Sequence, residues 1–257
     1  MVRGIDIFKK YFEGYTGQYV FIGGTACDII LGKQGIDFRA TKDFDIVLLI
    51  EALDEKFVQT FMNFIEVGGY EHIKKGTLKN QFYRFEKPQD RSFPYMIEIF
   101  SRKPDFLMQI DTRLAPIHVS DDTVSLSAIL LDDEYYDLLK KGTIEIDGIS
   151  VLRLEYLILF KIKAWIDLAT RKNAGEKIDA KNIKKHRNDI FRLAVNIDSD
   201  VHISISENVD KTIKFFIEDV RQNSIDLKNM GIKNTSAEDI LQVIEKCYIL
   251  DDEGEEI

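Results

Sequence analysis

Two aspartates, Asp43 and Asp45, stand at the mouth of the apolar stretch FDIVLL, and the apolar stretch before it, YVFI, stops at the glycine pair Gly23-Gly24. On a β-strand, side chains at i and i+2 point the same way, so both carboxylates share a face while Phe44, Ile46 and Leu48 turn to the other, toward the core. Two acids on one face repel each other unless a cation holds them. A carboxylate pair suits Mg²⁺, a hard ion usually held by a few carboxylates together with substrate phosphate oxygens. Glycine lets backbone approach a ligand closely, and N–H groups at a helix start attract phosphate. Asp28, on the first turn of the helix expected there, competes for that same positive end. Two ions in such a place can activate an attacking hydroxyl and steady a departing pyrophosphate.

A two-ion site asks for a third acid. In YMIEIFSR, Tyr95, Ile97 and Ile99 share one face and leave Glu98 with Met96 and Phe100. An acid between two apolar residues on its own face is unusual at a solvated position. Glu98 is therefore a metal-ligand candidate, the alternative being an ordinary edge-strand glutamate.

A lysine gives the next signal. Along LEYLILFKIKAWIDLATR, turning about 100° per residue puts Leu157, Ile158, Trp165 and Leu168 in one apolar stripe, with Lys161 inside it and Lys163 opposite. Lysine is rarely buried unless its charge is matched, so Lys161 calls for an anion, either a carboxylate or a triphosphate. The alternative is snorkelling, the stem covering apolar surface while the ammonium reaches water. In AKNIKKHRNDIFRLA, Ile183, Ile190 and Ala194 set a helix face, with His186 and Arg187 at its shoulders and Asp189 just outside. Lys181, Lys184, Lys185 and Arg187 form a basic cluster of the kind that usually lines a solvated surface.

These residues need elements to hold them. Up to about Ser125 the pattern alternates: a helix over IDIFKKYFEGY, strands over YVFI and FDIVLLIE, an amphipathic helix over DEKFVQTFMNFIEVGG, then strands over NQFYRFEK, YMIEIFS and APIHVS. Thr25, with Asp28 three residues on, reads as a capping box opening a helix through Leu31. From Ser125 helices dominate: SLSAILLDDEYYDLLKKG, then Leu154–Thr170, Asp179–Val195, Asn208–Gln222 and Ser236–Tyr248. A hairpin over TIEIDGISVL turns at Asp147-Gly148. The expectation is an α+β chain, with a mixed-sheet domain over 1–125 and a mainly helical domain over 126–257.

The totals narrow the classes. The chain has 257 residues, 45% hydrophobic and 31% charged, with a net charge of −9, which opposes a life spent gripping nucleic acid non-specifically. Cys27 and Cys247 make no disulfide framework, and the four histidines form no zinc-type cluster. Apolar runs are too short to span a bilayer, and no secretion signal opens the sequence, so no membrane and a cytoplasmic location are expected. GKQG lacks the flanking residues of a P-loop, and Phe100 stands where a nuclease acid–lysine motif would put lysine.

With these pieces placed, the chain resembles the nucleotidyltransferase superfamily (polymerase-beta-like), and within it the abortive-infection nucleotidyltransferases called AbiEii, whose members include toxins of toxin–antitoxin pairs. Gly23-Gly24-Thr25-Ala26 looks like the family's first motif and Arg39-x-Thr41-x-Asp43-x-Asp45 like its metal-binding motif. Lys161-x-x-Ala164 looks like the third, and Lys185-x-x-x-Asp189-Ile190 like the fourth, where His186 replaces a frequent aspartate. The resemblance runs from about Tyr19 to Leu193. It implies a nucleotidyltransferase-like sheet domain followed by a helical one. It further implies an NTP with its phosphates against Gly23, Gly24 and Thr25, near Arg39, and two Mg²⁺ ions held by Asp43 and Asp45, with Glu98 as the third acid. An acceptor hydroxyl, on RNA or protein, attacks the α-phosphorus. Lys161 offsets triphosphate charge, Asp189 orients the acceptor or Lys161, and an antitoxin protein is an expected partner. The alternative is a catalytically silent member that binds nucleotide or a partner.

Overall fold

The computed structural model describes residues 2–38, 41–49, 51–72, 82–102, 129–130, 132–223 and 225–251. The chain divides into two units, Met1–Arg153 and Leu154–Ile257.

Among the described residues the first unit is a mixed seven-stranded sheet with helices. Its strands are β1 (Tyr19–Ile22), β2 (Asp43–Leu48), β3 (Glu71–His72), β4 (Phe82–Glu86), β5 (Met96–Phe100), β6 (Thr143–Ile146) and β7 (Ile149–Leu152), and its helices are α1 (Ile5–Tyr11), α2 (Gly23–Lys33), α3 (Glu55–Gly68) and α4 (Asp133–Gly142). The sheet order is β3-β4-β5-β2-β1-β7-β6. The pairs β2–β5 and β1–β7 are parallel and the remaining pairs antiparallel.

Side-chain alternation decides which face each strand residue serves. Tyr19 lies opposite Leu48 and Phe21 opposite Ile46, so these four and Phe44 share a face, and all five are buried. That face carries an aromatic cluster: the Phe8 ring lies 5.0 Å from Phe21 and 5.7 Å from both Phe44 and Phe64. Edge-on ring contacts of this kind add to plain area burial and anchor α1 and α3 to the sheet. The opposite face is left for Asp43 and Asp45.

Local signals account for α3. The Asp54 carboxylate accepts a hydrogen bond from the Phe57 N–H at 2.7 Å, and Gly69 at φ 61° closes the helix in the left-handed conformation that glycine adopts without strain. The α4 helix is tied down at two places. The Tyr136 hydroxyl donates to Glu51 Oε2 at 2.6 Å, and Arg102 pairs with Asp133 while its guanidinium lies 4.5 Å from the Tyr136 ring centre.

Two expectations need correction. The hairpin of residues 143–152 does not belong to the helical half, because β7 lies parallel to β1 with Phe21 opposite Val151, which moves the division from Ser125 to Arg153. Thr25 does not cap a helix either: α2 already starts at Gly23, with Ile22 in the capping position and no side-chain cap. The strand expected at APIHVS lies outside the described residues, as does the start of the helix expected from Ser125.

The second unit contains α5 (Leu154–Asn173), α6 (Ala180–Ala194), α7 (Glu207–Gln222), α8 (Ala237–Cys247) and a two-stranded parallel sheet of β8 (Ile203–Ile205) and β9 (Tyr248–Leu250). Both α6 and α7 pack on α5, where Trp165 meets Phe216 edge-on at 5.3 Å. The Tyr248 hydroxyl donates to the Glu155 carbonyl at 2.5 Å, fastening the final strand to the start of α5. No helix among the described residues is long and apolar enough to cross a membrane.

Candidate functional site

Asp43 and Asp45 occupy the first and third positions of β2, both half-buried, while Phe44 and Ile46 between and beyond them are buried on the other face. The alternation expected from the sequence is the one observed. Parallel pairing with β5 sets Glu98 directly beside Asp45, and antiparallel pairing of β5 with β4 sets Arg84 directly beside Glu98. Laterally paired residues share a face, so one row across the sheet reads Ile22, Asp45, Glu98, Arg84.

The glycine pair is brought onto this row. Gly23 has φ +64°, and a Cβ added to it would lie 2.1 Å from Asp45 Oδ2; a Cβ on Gly24 would lie 2.7 Å from Thr41 Oγ1. Gly23 thus makes room for Asp45 in β2, and Gly24 for Thr41 in the segment running into it. Thr25, fully buried, donates its hydroxyl hydrogen to the Asp43 carbonyl at 2.7 Å. Gly23 and Thr25 of α2 therefore position Asp45 and Asp43, the one through close backbone approach and the other through a hydrogen bond. Position 39 lies outside the described residues, so the expectation for Arg39 receives no structural account.

Glu98 is not at an edge. It sits in an inner strand at 7% exposure, and Arg84 holds it: Nε donates to Oε1 at 2.7 Å, and Nη2 forms a second, shorter bond to the same oxygen. A buried carboxylate needs such a partner. The Arg84 contact is the part of the site that the sequence gives no sign of, because a cross-strand neighbour emerges only once the register of β4 against β5 is known.

The donor chemistry suits a hard divalent ion at Asp43 and Asp45. Two carboxylates at i and i+2 of one strand can converge on one ion at oxygen–metal distances of about 2.0–2.1 Å. Yet among the described residues no group of three or more His, Cys, Asp or Glu side chains is gathered closely enough to hold a metal. Glu98 has the right place in the row, but its carboxylate is turned to account by the guanidinium.

Lys161 and Asp189 belong to the second unit. Lys161 is 7% exposed and its Nζ lies 3.1 Å from Asp189 Oδ2, on the neighbouring helix. Asp189 is wholly buried and also accepts from Arg192 Nη1 at 3.2 Å. Asp189 lies within the buried face of α6 rather than just outside it, whereas Ile183 is half-exposed and does not anchor that face. Burial of a carboxylate between a lysine and an arginine is the physical reason: two cations make the interior tolerable for it. The cluster of Lys181, Lys184 and Lys185 is exposed, and Arg187 half-exposed.

No protein-family model matches the chain, and neither a curated protein nor a solved structure matches it.

Proposed function

We propose that the first unit is the catalytic half of a metal-dependent nucleotidyltransferase with a polymerase-beta-like fold, similar to the AbiEii group, which moves an NMP from an NTP to an acceptor hydroxyl with release of pyrophosphate. The observation that carries this reading is the seat of Asp45 against Gly23, which brings the glycine turn and the aspartate pair into one place. Bound Mg²⁺ would supply a Lewis acid to the α-phosphate and to the attacking hydroxyl. Asp43 and Asp45 would hold the ion. The start of α2, with no side-chain cap of its own, offers backbone N–H groups and a positive dipole end to phosphate oxygens. Little covalent chemistry falls to the protein: its task is positioning and charge stabilisation. RNA and protein hydroxyls are both suitable acceptors, and an antitoxin protein would be a fitting partner.

One observation favours a second reading, a catalytically silent member that binds nucleotide or a partner: Arg84 already engages the third acid. Incubation with Mg²⁺, each labelled NTP and total RNA separates the two. Label transferred to RNA or to protein, and lost in Asp43→Asn, is the expected result. Nucleotide binding that survives Asp43→Asn, with no transfer to either acceptor, overturns the enzyme reading.

A further inference from the structure

We infer that Arg84 is a positioning residue that withholds Glu98 from the cation site, so that the resting protein presents two carboxylates to a divalent ion rather than three. The inference rests on the two-aspartate reading of β2. Three observations carry it. Register places Asp45, Glu98 and Arg84 side by side on adjacent strands, which run about 4.8 Å apart, so Glu98 has Asp45 on one side and the arginine on the other. Two guanidinium nitrogens, Nε and Nη2, donate to one carboxylate oxygen, Oε1, drawing that group toward β4. Glu98 and Arg84 are mostly enclosed, with side chains 9% and 18% exposed, so water screens their attraction only weakly.

The energetics run in one direction. Carboxylates on one face repel one another, and the Arg84 guanidinium at the end of the row sets a positive charge against Glu98. The planar guanidinium fork matches a carboxylate geometrically as well as in charge. A cation arriving between Asp43 and Asp45 therefore meets a site whose third acid is already neutralised.

Mn²⁺ serves as the probe, its free concentration followed by electron paramagnetic resonance in the absence of nucleotide. Wild-type chain, Arg84→Met, Arg84→Lys, Glu98→Gln and the double variant Arg84→Met/Glu98→Gln are compared, with thermal unfolding as a check on folding. Removing Arg84 leaves a buried carboxylate without its cation, and Mn²⁺ is expected to bind at least about tenfold tighter to Arg84→Met, a difference that a lost charge–charge contact readily supplies. Arg84→Lys keeps the charge and should stay near the wild-type Kd. The double variant should return toward the wild-type value, because the freed acid is gone.

An unchanged or weaker Kd in folded Arg84→Met overturns the role of Arg84 alone. Should Arg84→Met fail to fold, Glu98→Gln decides: a wild-type-like Kd supports a withheld glutamate, and a Kd weakened about tenfold or more, the loss of a working ligand, overturns it. If wild-type chain binds no Mn²⁺ that Asp43→Asn removes, the aspartate reading falls and the inference with it.

Discussion

Asp45 Oδ2 and Gly23 contend for the same space: a Cβ on the glycine would stand 2.1 Å from that oxygen. The contact welds the start of α2 to β2 and leaves one residue type at position 23.

Gly23→Ala should therefore fail in two ways. The left-handed φ of +64° costs a side-chain-bearing residue roughly 1–2 kcal/mol, and the added methyl group drives Asp45 from its seat. Gly35→Ala is the control, since Gly35 has φ +72° with nothing within 4 Å of the added atom. Both variants should lose comparable stability from backbone strain, whereas Mn²⁺ binding and transfer should fall only in Gly23→Ala. Equal metal affinities in the two variants would show that the displacement of Asp45 does not matter.

In the second unit, Asp189→Ala removes the buried carboxylate that Lys161 and Arg192 share. Breaking a buried pair by removing one partner costs about 3–5 kcal/mol. Urea unfolding should show that loss. Lys161→Met is expected to cost less, since Arg192 still pairs with Asp189. Lys161→Met/Asp189→Leu should recover most of the stability, because a fully apolar replacement removes both charges. If the double variant is as unstable as Asp189→Ala, the pair acts through something other than charge balance.

A pH dependence follows from the tether of α4. Burial pushes the Glu51 carboxyl up, but the hydrogen bond from Tyr136, its own backbone N–H and the nearby Lys140 and Arg102 outweigh it, holding the group below its ordinary value. A carboxyl lowered in the folded state stabilises above its unfolded pKa, and that contribution is lost as pH falls through the folded one. Glu51→Gln should accordingly melt below wild type at neutral pH, and the gap should close as pH drops through and below about 4, the ordinary glutamate range. Melting curves across that range check the sign; a gap that widens in acid contradicts it.

Much of the frame was legible in the residues. Alternation in FDIVLL marked the faces of β2, and helical phase marked Lys161 as buried; both depend only on chain-local geometry. What stayed hidden required partners far along the chain. Nothing in YMIEIFSR names Arg84 as the neighbour of Glu98, since a shift of β4 by one residue would turn Arg84 to the other face. Thr25 and Asp28 have the spacing of a helix cap, but α2 already begins at Gly23, so Thr25 lies inside the helix and its hydroxyl donates to the Asp43 carbonyl, an outcome of the contact between α2 and β2. Helical phase sets Asp189 just outside the apolar face of α6 because it counts Ile183, which is half-exposed, and carries no sign of the two cations that make a buried acid stable.

The parallel pairing of β1 with β7 has a consequence for synthesis. Residues 19–22 leave the ribosome long before residues 149–152, so one border of β1 stays unsatisfied while the intervening chain is made. Sheet closure is thus a late, long-range event, and the nascent first half spends that interval with an open strand border that chaperones, or another copy of the same segment, could engage.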